Sequence, residues 1–234
     1  MEGRNQMSQL YHDKDFNDHD YDEFYESHTF APLSDETALD AHRILPRVAW
    51  ALDIAKEIKP KRVLDLGCLE GLSVLTIAKH VPSVKVGVGI DLSRDGIKLA
   101  IKRSVSSGLP TTFFRDSIEN YLQSASERFD MIMLFEVMEH VKDPELIIKL
   151  VDKVLAPGGT VLISTPAFES PTYGKDDEQN KCHVRLYTLK DEDYQEENKY
   201  GTLRTATSLP KQLKGHTIVS TDIYSELIHA RYTK

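Results

Sequence analysis

Arg62-Val63-Leu64-Asp65-Leu66-Gly67-Cys68-Leu69-Glu70-Gly71 decides the fold. A short apolar run carries an acid near its end, a turn with two glycines follows, and apolar positions at helical spacing then run from Leu72 to Val81. That order reads as strand, tight turn, helix, one half of a nucleotide-binding βαβ unit. A dinucleotide fingerprint needs G-x-G-x-x-G, because its backbone must approach a pyrophosphate at the helix N-terminus. Here the spacing is G-x-x-x-G, with Leu69 in the middle glycine's place. Asp65, just before the turn, would repel a phosphate and attract a cation. The ligand implied is adenosine-like at one end and cationic at the other.

Downstream, Lys85 to Asp91 reads as a second buried strand ending in an acid, 20 residues beyond Gly71. An acid at that strand tip can accept both hydroxyls of a ribose; Asp91 could equally cap a helix over Ser93 to Ser104. Thr112 to Asp116 is a third strand, followed by Ser117-Ile118. Phe129 to Phe135 is almost continuously apolar, as a parallel strand covered on both faces requires. Glu136-Val137-Met138-Glu139-His140 follows it, then a helix over Glu145 to Leu155 with Pro144 at its first turn, an Ala156-Pro157-Gly158-Gly159 turn, and a fifth strand from Thr160 to Thr165. Gly215 to Ser220 and Glu226 to Tyr232 are expected to form a closing strand pair.

These motifs, over roughly residues 60 to 190, resemble the class I S-adenosylmethionine-dependent methyltransferases. The resemblance implies an α/β fold, a Rossmann-like seven-stranded mostly parallel sheet with helices on both faces. It further implies a cofactor site made of Asp65, Gly67, Cys68, Gly71, Asp91, Leu92, Asp116, Ser117 and Phe135, with Asp116 and Ser117 meeting the adenine. The E-x-x-E-H, P-G-G and T-P pattern is similar to the branch holding ubiquinone-biosynthesis O-methyltransferases and small-RNA 3′-end 2′-O-methyltransferases, which implies a divalent metal. On a helical turn Glu136, Glu139 and His140 would share one face. Two carboxylates and an imidazole suit Mg²⁺, Mn²⁺ or Zn²⁺. His183, opening His183-Val184-Arg185-Leu186-Tyr187-Thr188, is the fourth ligand the resemblance implies. Without a metal, His140 or His183 could act as a general base; the cluster could also be a solvated helix start.

The rest of the chain sets bounds. Its 234 residues suffice for one α/β domain, expected over 34–234, and a net charge of −8 disfavours a long nucleic-acid backbone as partner. Two cysteines, Cys68 and Cys182, make no disulfide framework, and no long apolar run is present, so a reducing cytoplasm is expected and a membrane is not. Residues 1–33 form an acidic segment; its first 30 residues hold eight acids and six aromatics, and it is either a lid over the site or a loose tail. Ser34 starts a helical stretch to about Ile58, bent or interrupted at Pro46, in which Trp50 packs. The loop 167–182 is expected over the substrate, with Tyr173 and Lys175 as contacts. His216 and His229 read as ordinary strand residues, while Asp191 to Leu213 carries no clear pattern.

The function expected is O-methylation of a small-molecule or sugar hydroxyl. Methylation of an RNA 3′ end, N-methylation of an amine, a catalytically silent cofactor-binding scaffold and a nucleotide-dependent oxidoreductase are the alternatives.

Overall fold

The structure is a computed structural model that describes residues 34–170, 183–197, 203–224 and 226–234. The expected lid, Tyr173, Lys175 and Cys182 lie outside these residues.

The stretch before the first strand is broken where proline demands it. Ser34 caps α1 (Asp35–Leu39), accepting from Thr37 N at 3.2 Å. A 3₁₀ turn (Ala41–Arg43) follows, and α2 (Pro46–Ile58) begins on Pro46, whose missing N–H costs nothing in the first turn. The chain then alternates: β1 (Arg62–Leu66), α3 (Leu72–His80), β2 (Val86–Asp91), α4 (Arg94–Ser107), β3 (Thr111–Arg115), α5 (Ile118–Ser124), β4 (Phe129–Phe135), α6 (Pro144–Val154) and β5 (Leu155–Pro166). The expected turn at 156–159 is instead an irregularity inside the β4–β5 ladder, where Phe129 pairs with Leu155 but Met131 already pairs with Thr160.

The order of the main sheet is β3-β2-β1-β4-β5-β10-β9, with β9 (Thr217–Tyr224) and β10 (Leu227–Thr233) closing it. Pairs among β1 to β5 are parallel, and β10 is antiparallel to both β5 and β9, so a single strand runs against the rest. The seven-stranded sheet is therefore as the sequence led us to expect. His216 departs from expectation, lying before β9 with Nε2 2.8 Å from Asp152 Oδ2. The unpatterned region between β5 and β9 forms a second, small sheet of β6 (Tyr187–Thr188), β8 (Leu203–Ser208) and β7 (Tyr194–Glu197), followed by the one-turn α7 (Leu209–Gln212).

Period-two alternation in β4 explains the two cores. Met131, Met133 and Phe135 pack with Leu52, Val74 and Ile97 from α2, α3 and α4. Ile132 and Leu134 pack with Leu122, Ile147 and Val151 from α5 and α6. Each such side chain, fully buried, contributes on the order of 1.5–3 kcal/mol, which is why a strand with almost no polar residue is tolerated only in the middle of the sheet. The chain leaves β1 toward β3 on one side and returns to β4 on the other. The switch lies between β1 and β4, and in open α/β sheets ligands bind at the carboxyl ends of the strands there.

Candidate cofactor and catalytic site

The turn after β1 is held from the neighbouring strand. Gly67 N and Cys68 N both donate to Ile90 O, at 2.8 and 3.0 Å, and Leu69 N donates to Asp91 Oδ2 at 2.7 Å. Leu69 adopts φ 45°, a left-handed conformation that costs a side chain-bearing residue about 1–2 kcal/mol, so the leucine takes the backbone conformation that favours glycine there. Gly71 has φ 78° and starts α3; a Cβ there would stand 2.7 Å from Phe113 Cε1. Gly71→Ala is therefore expected to cost about 2–4 kcal/mol, a melting temperature lower by roughly 5–15 °C in a thermal unfolding scan. An unchanged melting temperature would refute the tight packing of this turn.

Asp91 is not the N-cap of α4. Ser93 fills that position, its Oγ accepting from Gly96 N at 3.1 Å, while Asp91 Oδ1 accepts from Ser93 N at 2.8 Å. Asp91 thus fixes both the glycine-rich turn and the start of α4.

Over these strand ends lies a cavity of about 390 Å³. Of the expected cofactor residues, Gly67, Asp91, Leu92, Asp116, Ser117 and Phe135 line it, as do Glu136 and His140. Cys68 and Gly71 do not: the Cys68 side chain turns into the core among α2, α3 and α4, where burial pushes its thiol well above the usual range, and Gly71 acts through the backbone of the turn. Ser117 N donates to Asp116 Oδ1 at 2.8 Å, and Ser117 Oγ caps α5. Sequence reasoning missed Arg47, Val137 and Lys142 in the lining. The one signal for Arg47 was its place directly after Pro46, at the exposed start of a helix.

Asp65, an expected cofactor residue that does not line the cavity, is next to last in β1 and 2% exposed, and its Oδ2 has no hydrogen-bond partner among the described residues. Burial pushes its carboxyl up to about 7, the neighbouring Asp91 charge adds to the shift, and Arg47 opposes it.

The residues after β4 do not form the helical turn that the i, i+3, i+4 spacing required. Glu136 has φ 55°, its N–H donates to Ser164 O at 2.9 Å, and its Oε1 accepts from Ser164 Oγ at 2.8 Å. Burial raises its carboxyl above the usual range, against the opposing pull of Arg47 and Ser164. That bend separates Glu136 from the others, whereas Glu139, His140 and His183 have donor atoms all within 4.8 Å of one another. Glu139 is 1% exposed, its Oε2 accepts from Thr165 Oγ1 at 2.9 Å, and its Oε1 lies 4.0 Å from His140 Nε2. The His140 and His183 rings meet edge to face with centroids 4.9 Å apart.

His183 is brought there by the segment it opens. Val184 N donates to Glu139 O at 2.9 Å, and Arg185 Nη2 donates to the Val141 and Lys142 carbonyls at 2.8 Å each. Tyr187, wholly buried, donates its hydroxyl to Met138 O at 3.4 Å.

The profile of a methyltransferase domain family matches residues 37–216. The chain belongs to this methyltransferase family. Over 125 residues it is 33% identical to a ubiquinone biosynthesis O-methyltransferase of Proteus mirabilis, 53% of this chain and 50% of that protein, so the chain spans about half the length of that curated relative. Among solved structures, an O-methyltransferase family protein from Burkholderia thailandensis superposes with TM-score 0.61 at 14% identity, covering 86% of this chain and 58% of that one. The N-methyltransferase NodS of Bradyrhizobium japonicum, in complex with S-adenosyl-L-homocysteine, does so with TM-score 0.55 at 19% identity, covering 80% and 85%. At such identities the superpositions show the fold, which is that of the class I S-adenosylmethionine-dependent methyltransferases. No helix among the described residues is long and apolar enough to cross a membrane.

The chain has a second cavity, of about 490 Å³, at the first turns of α2, with Trp50, Asp53, Asp222, Tyr224 and His229 in its lining. His229 lies on β10, as the sequence suggested, but its ring is stacked on Trp50 at 4.7 Å with an interplanar angle of 9°. Trp50 also leans on Phe135, centroids 6.1 Å apart, so one aromatic row runs from the lining of the first cavity to that of the second.

Proposed function

We propose that the chain transfers a methyl group from S-adenosylmethionine to a hydroxyl oxygen of a small molecule or sugar, with the cofactor in the 390 Å³ cavity. The observation that carries this reading is the buried Asp65 Oδ2, which has no hydrogen-bond partner among the described residues, with the Arg47 guanidinium, which lines the cavity, acting on that carboxyl through its charge. Such a couple suits the zwitterionic end of an amino acid, the α-ammonium going to Asp65 and the α-carboxylate to Arg47. Asp91, at the tip of β2 and in the cavity lining, would take the ribose hydroxyls. Asp116 would take the adenine amino group, with Leu92 and Phe135 supplying apolar walls.

In the transfer, the His140 imidazole would take the proton of the acceptor O–H, and S-adenosylmethionine, when bound, would supply the methyl group to that oxygen and leave as S-adenosylhomocysteine. Glu139, held by Thr165 and 4.0 Å from His140 Nε2, favours the imidazolium that forms. His183 packs edge to face on His140 and limits where that ring can turn. Much of the acceleration would come from holding two reactants in line. The O-methyltransferase name of the Proteus relative supports a hydroxyl acceptor.

One observation favours a metal-assisted variant. Glu139, His140 and His183 together offer one carboxylate and two imidazoles, a donor set that fits a borderline divalent ion such as Mn²⁺ or Zn²⁺ better than Mg²⁺. Glu136 lies outside that group, so the four-ligand set expected from sequence is not assembled. A bound ion would lower the pKa of an acceptor hydroxyl, and that chemistry would also suit an RNA 3′ end.

The test is a thermal-shift titration with S-adenosylhomocysteine, run in parallel with chelator and with Mn²⁺. At about 100 times its dissociation constant the ligand is expected to stabilise the fold by roughly 2.7 kcal/mol. No stabilisation in either arm would overturn the enzyme reading. A metal-dependent increment that His140→Ala abolishes would favour the metal-assisted variant.

A further inference from the structure

Away from the cavity over the strand ends, three potential metal ligands converge where the N-terminal helices meet α3. Asp40 closes α1, His42 lies in the 3₁₀ turn and His80 is the last residue of α3. Their donor atoms all lie within 4.8 Å of one another. His80 Nε2 stands 2.6 Å from Asp40 Oδ1, and the His42 and His80 rings meet edge to face with centroids 4.8 Å apart. His42 Nδ1 is buried and has no hydrogen-bond partner among the described residues, although a buried imidazole nitrogen ordinarily has one.

We infer that Asp40, His42 and His80 form a second metal site, which takes a borderline divalent cation of the Zn²⁺ type through one carboxylate oxygen and two imidazole nitrogens. Ligand bonds of about 2.0–2.2 Å put two ligands of a tetrahedral ion about 3.3 Å apart. The 2.6 Å separation of Asp40 and His80 therefore opens slightly, and the 4.8 Å outer limit of the group contracts, both within the reach of side-chain rotation. The fourth position would be solvent.

Hydrogen bonds from Lys79 and His80 hold the Asp40 carboxyl down at about 2, so it is ionised. Burial, and then the neighbouring His80, lower the His42 pKa and favour the neutral imidazole that ligates. The Lys79 ammonium, 2.9 Å from Asp40 Oδ2, is a cation that an ion must tolerate; Asp40 Oδ1, which faces His80 Nε2 at 2.6 Å, is the oxygen an ion between the two would take.

The site would fasten the chain at a point where the fold already joins it. Thr76 of α3 accepts from Ala41 N and donates to Ala38 O, both at 3.3 Å, on the inner side of the same junction. An ion on Asp40, His42 and His80 adds an outer clasp to the segment that leads into Pro46 and Arg47.

The test uses the full chain carrying His140→Ala, so that the Glu139, His140 and His183 group is disabled. The chain is stripped with chelator, then titrated with Zn²⁺ by calorimetry and with Co²⁺ by visible absorption. One ion per chain with a tetrahedral Co²⁺ spectrum is expected. Binding should weaken about tenfold or more in His42→Phe, which keeps the ring packing but loses the ligand, and in His80→Asn. Lys79→Met should tighten it several-fold, a gain that a purely structural hydrogen-bond network would not produce. Absence of binding, affinity unchanged in both histidine variants while their melting temperatures stay near the parent's, or no gain in Lys79→Met would each overturn the site.

Discussion

Replacing Asp65 by Asn is expected to weaken S-adenosylhomocysteine binding roughly 10- to 100-fold at pH 8 while making the empty protein more stable at that pH. The loss follows from one buried charge-assisted hydrogen bond, about 1.5–3 kcal/mol. The gain follows from the carboxyl's raised pKa, with burial as its first cause and Asp91 as its second. For an acid whose pKa is 3.8 when unfolded and about 7 when folded, both states are protonated below 3.8 and folding carries no penalty. As pH rises through 7 the folded protein must hold the anion in a dry site, which costs at most about 4 kcal/mol at about 1.36 kcal/mol per unit. Wild-type stability should therefore fall between about pH 4 and pH 7 by this contribution, and in Asp65→Asn the fall should vanish. Cofactor affinity should run the other way, rising with pH up to about 7 and levelling above it, because the ligand's ammonium selects the ionised form. Calorimetry and urea melts from pH 5 to pH 8.5 on both proteins would measure the two slopes. A slope that survives in Asp65→Asn would show that another group carries it.

His140→Ala should lower kcat by about 10²- to 10⁴-fold, the usual contribution of a positioned acid or base, with cofactor affinity nearly unchanged. Glu139→Gln should reproduce part of that loss. The glutamine amide oxygen can still accept from Thr165 Oγ1, but the negative charge 4.0 Å from the imidazole is gone. The pH–rate profile separates the roles: its acidic limb, set by deprotonation of the His140 base, should shift to lower pH in Glu139→Gln, because the imidazolium loses its counter-charge. Activity of His140→Ala within a few-fold of wild type, at saturating cofactor and acceptor, would remove His140 from the chemistry.

The fold was legible because its signals are local and repeated. Acids at the ends of apolar runs, a glycine turn and a continuously apolar fourth strand each report backbone geometry over a few residues, and together they imply a parallel sheet with one switch point. The lining of the candidate site was legible where a residue sits at a strand tip, as for Asp91, Asp116 and Phe135. It was illegible where a side chain's direction depends on tertiary packing. Cys68 sits in the motif yet turns into the core, and the i, i+3, i+4 argument for Glu136 failed because that residue takes a left-handed φ and bonds to Ser164 on the next strand. Arg47 could not be found from motif spacing, since it lies 15 residues before β1 begins and only the fold brings it to the cavity. The small β6-β8-β7 sheet escaped notice because its strands are short and rich in polar residues, without the apolar alternation that marks a half-buried strand.

Trp50 is the chain's single tryptophan, and it stands between the rings of Phe135 and His229. All ultraviolet emission excited at the red edge of the indole band therefore comes from one place, the turn of α2 that follows Arg47. Burial keeps the stacked His229 ring toward its neutral form, so near-neutral solutions leave the fluorophore beside an imidazole rather than a quenching imidazolium. Intensity and wavelength would then report, without any label, how the start of this helix responds when the cavity beside it fills.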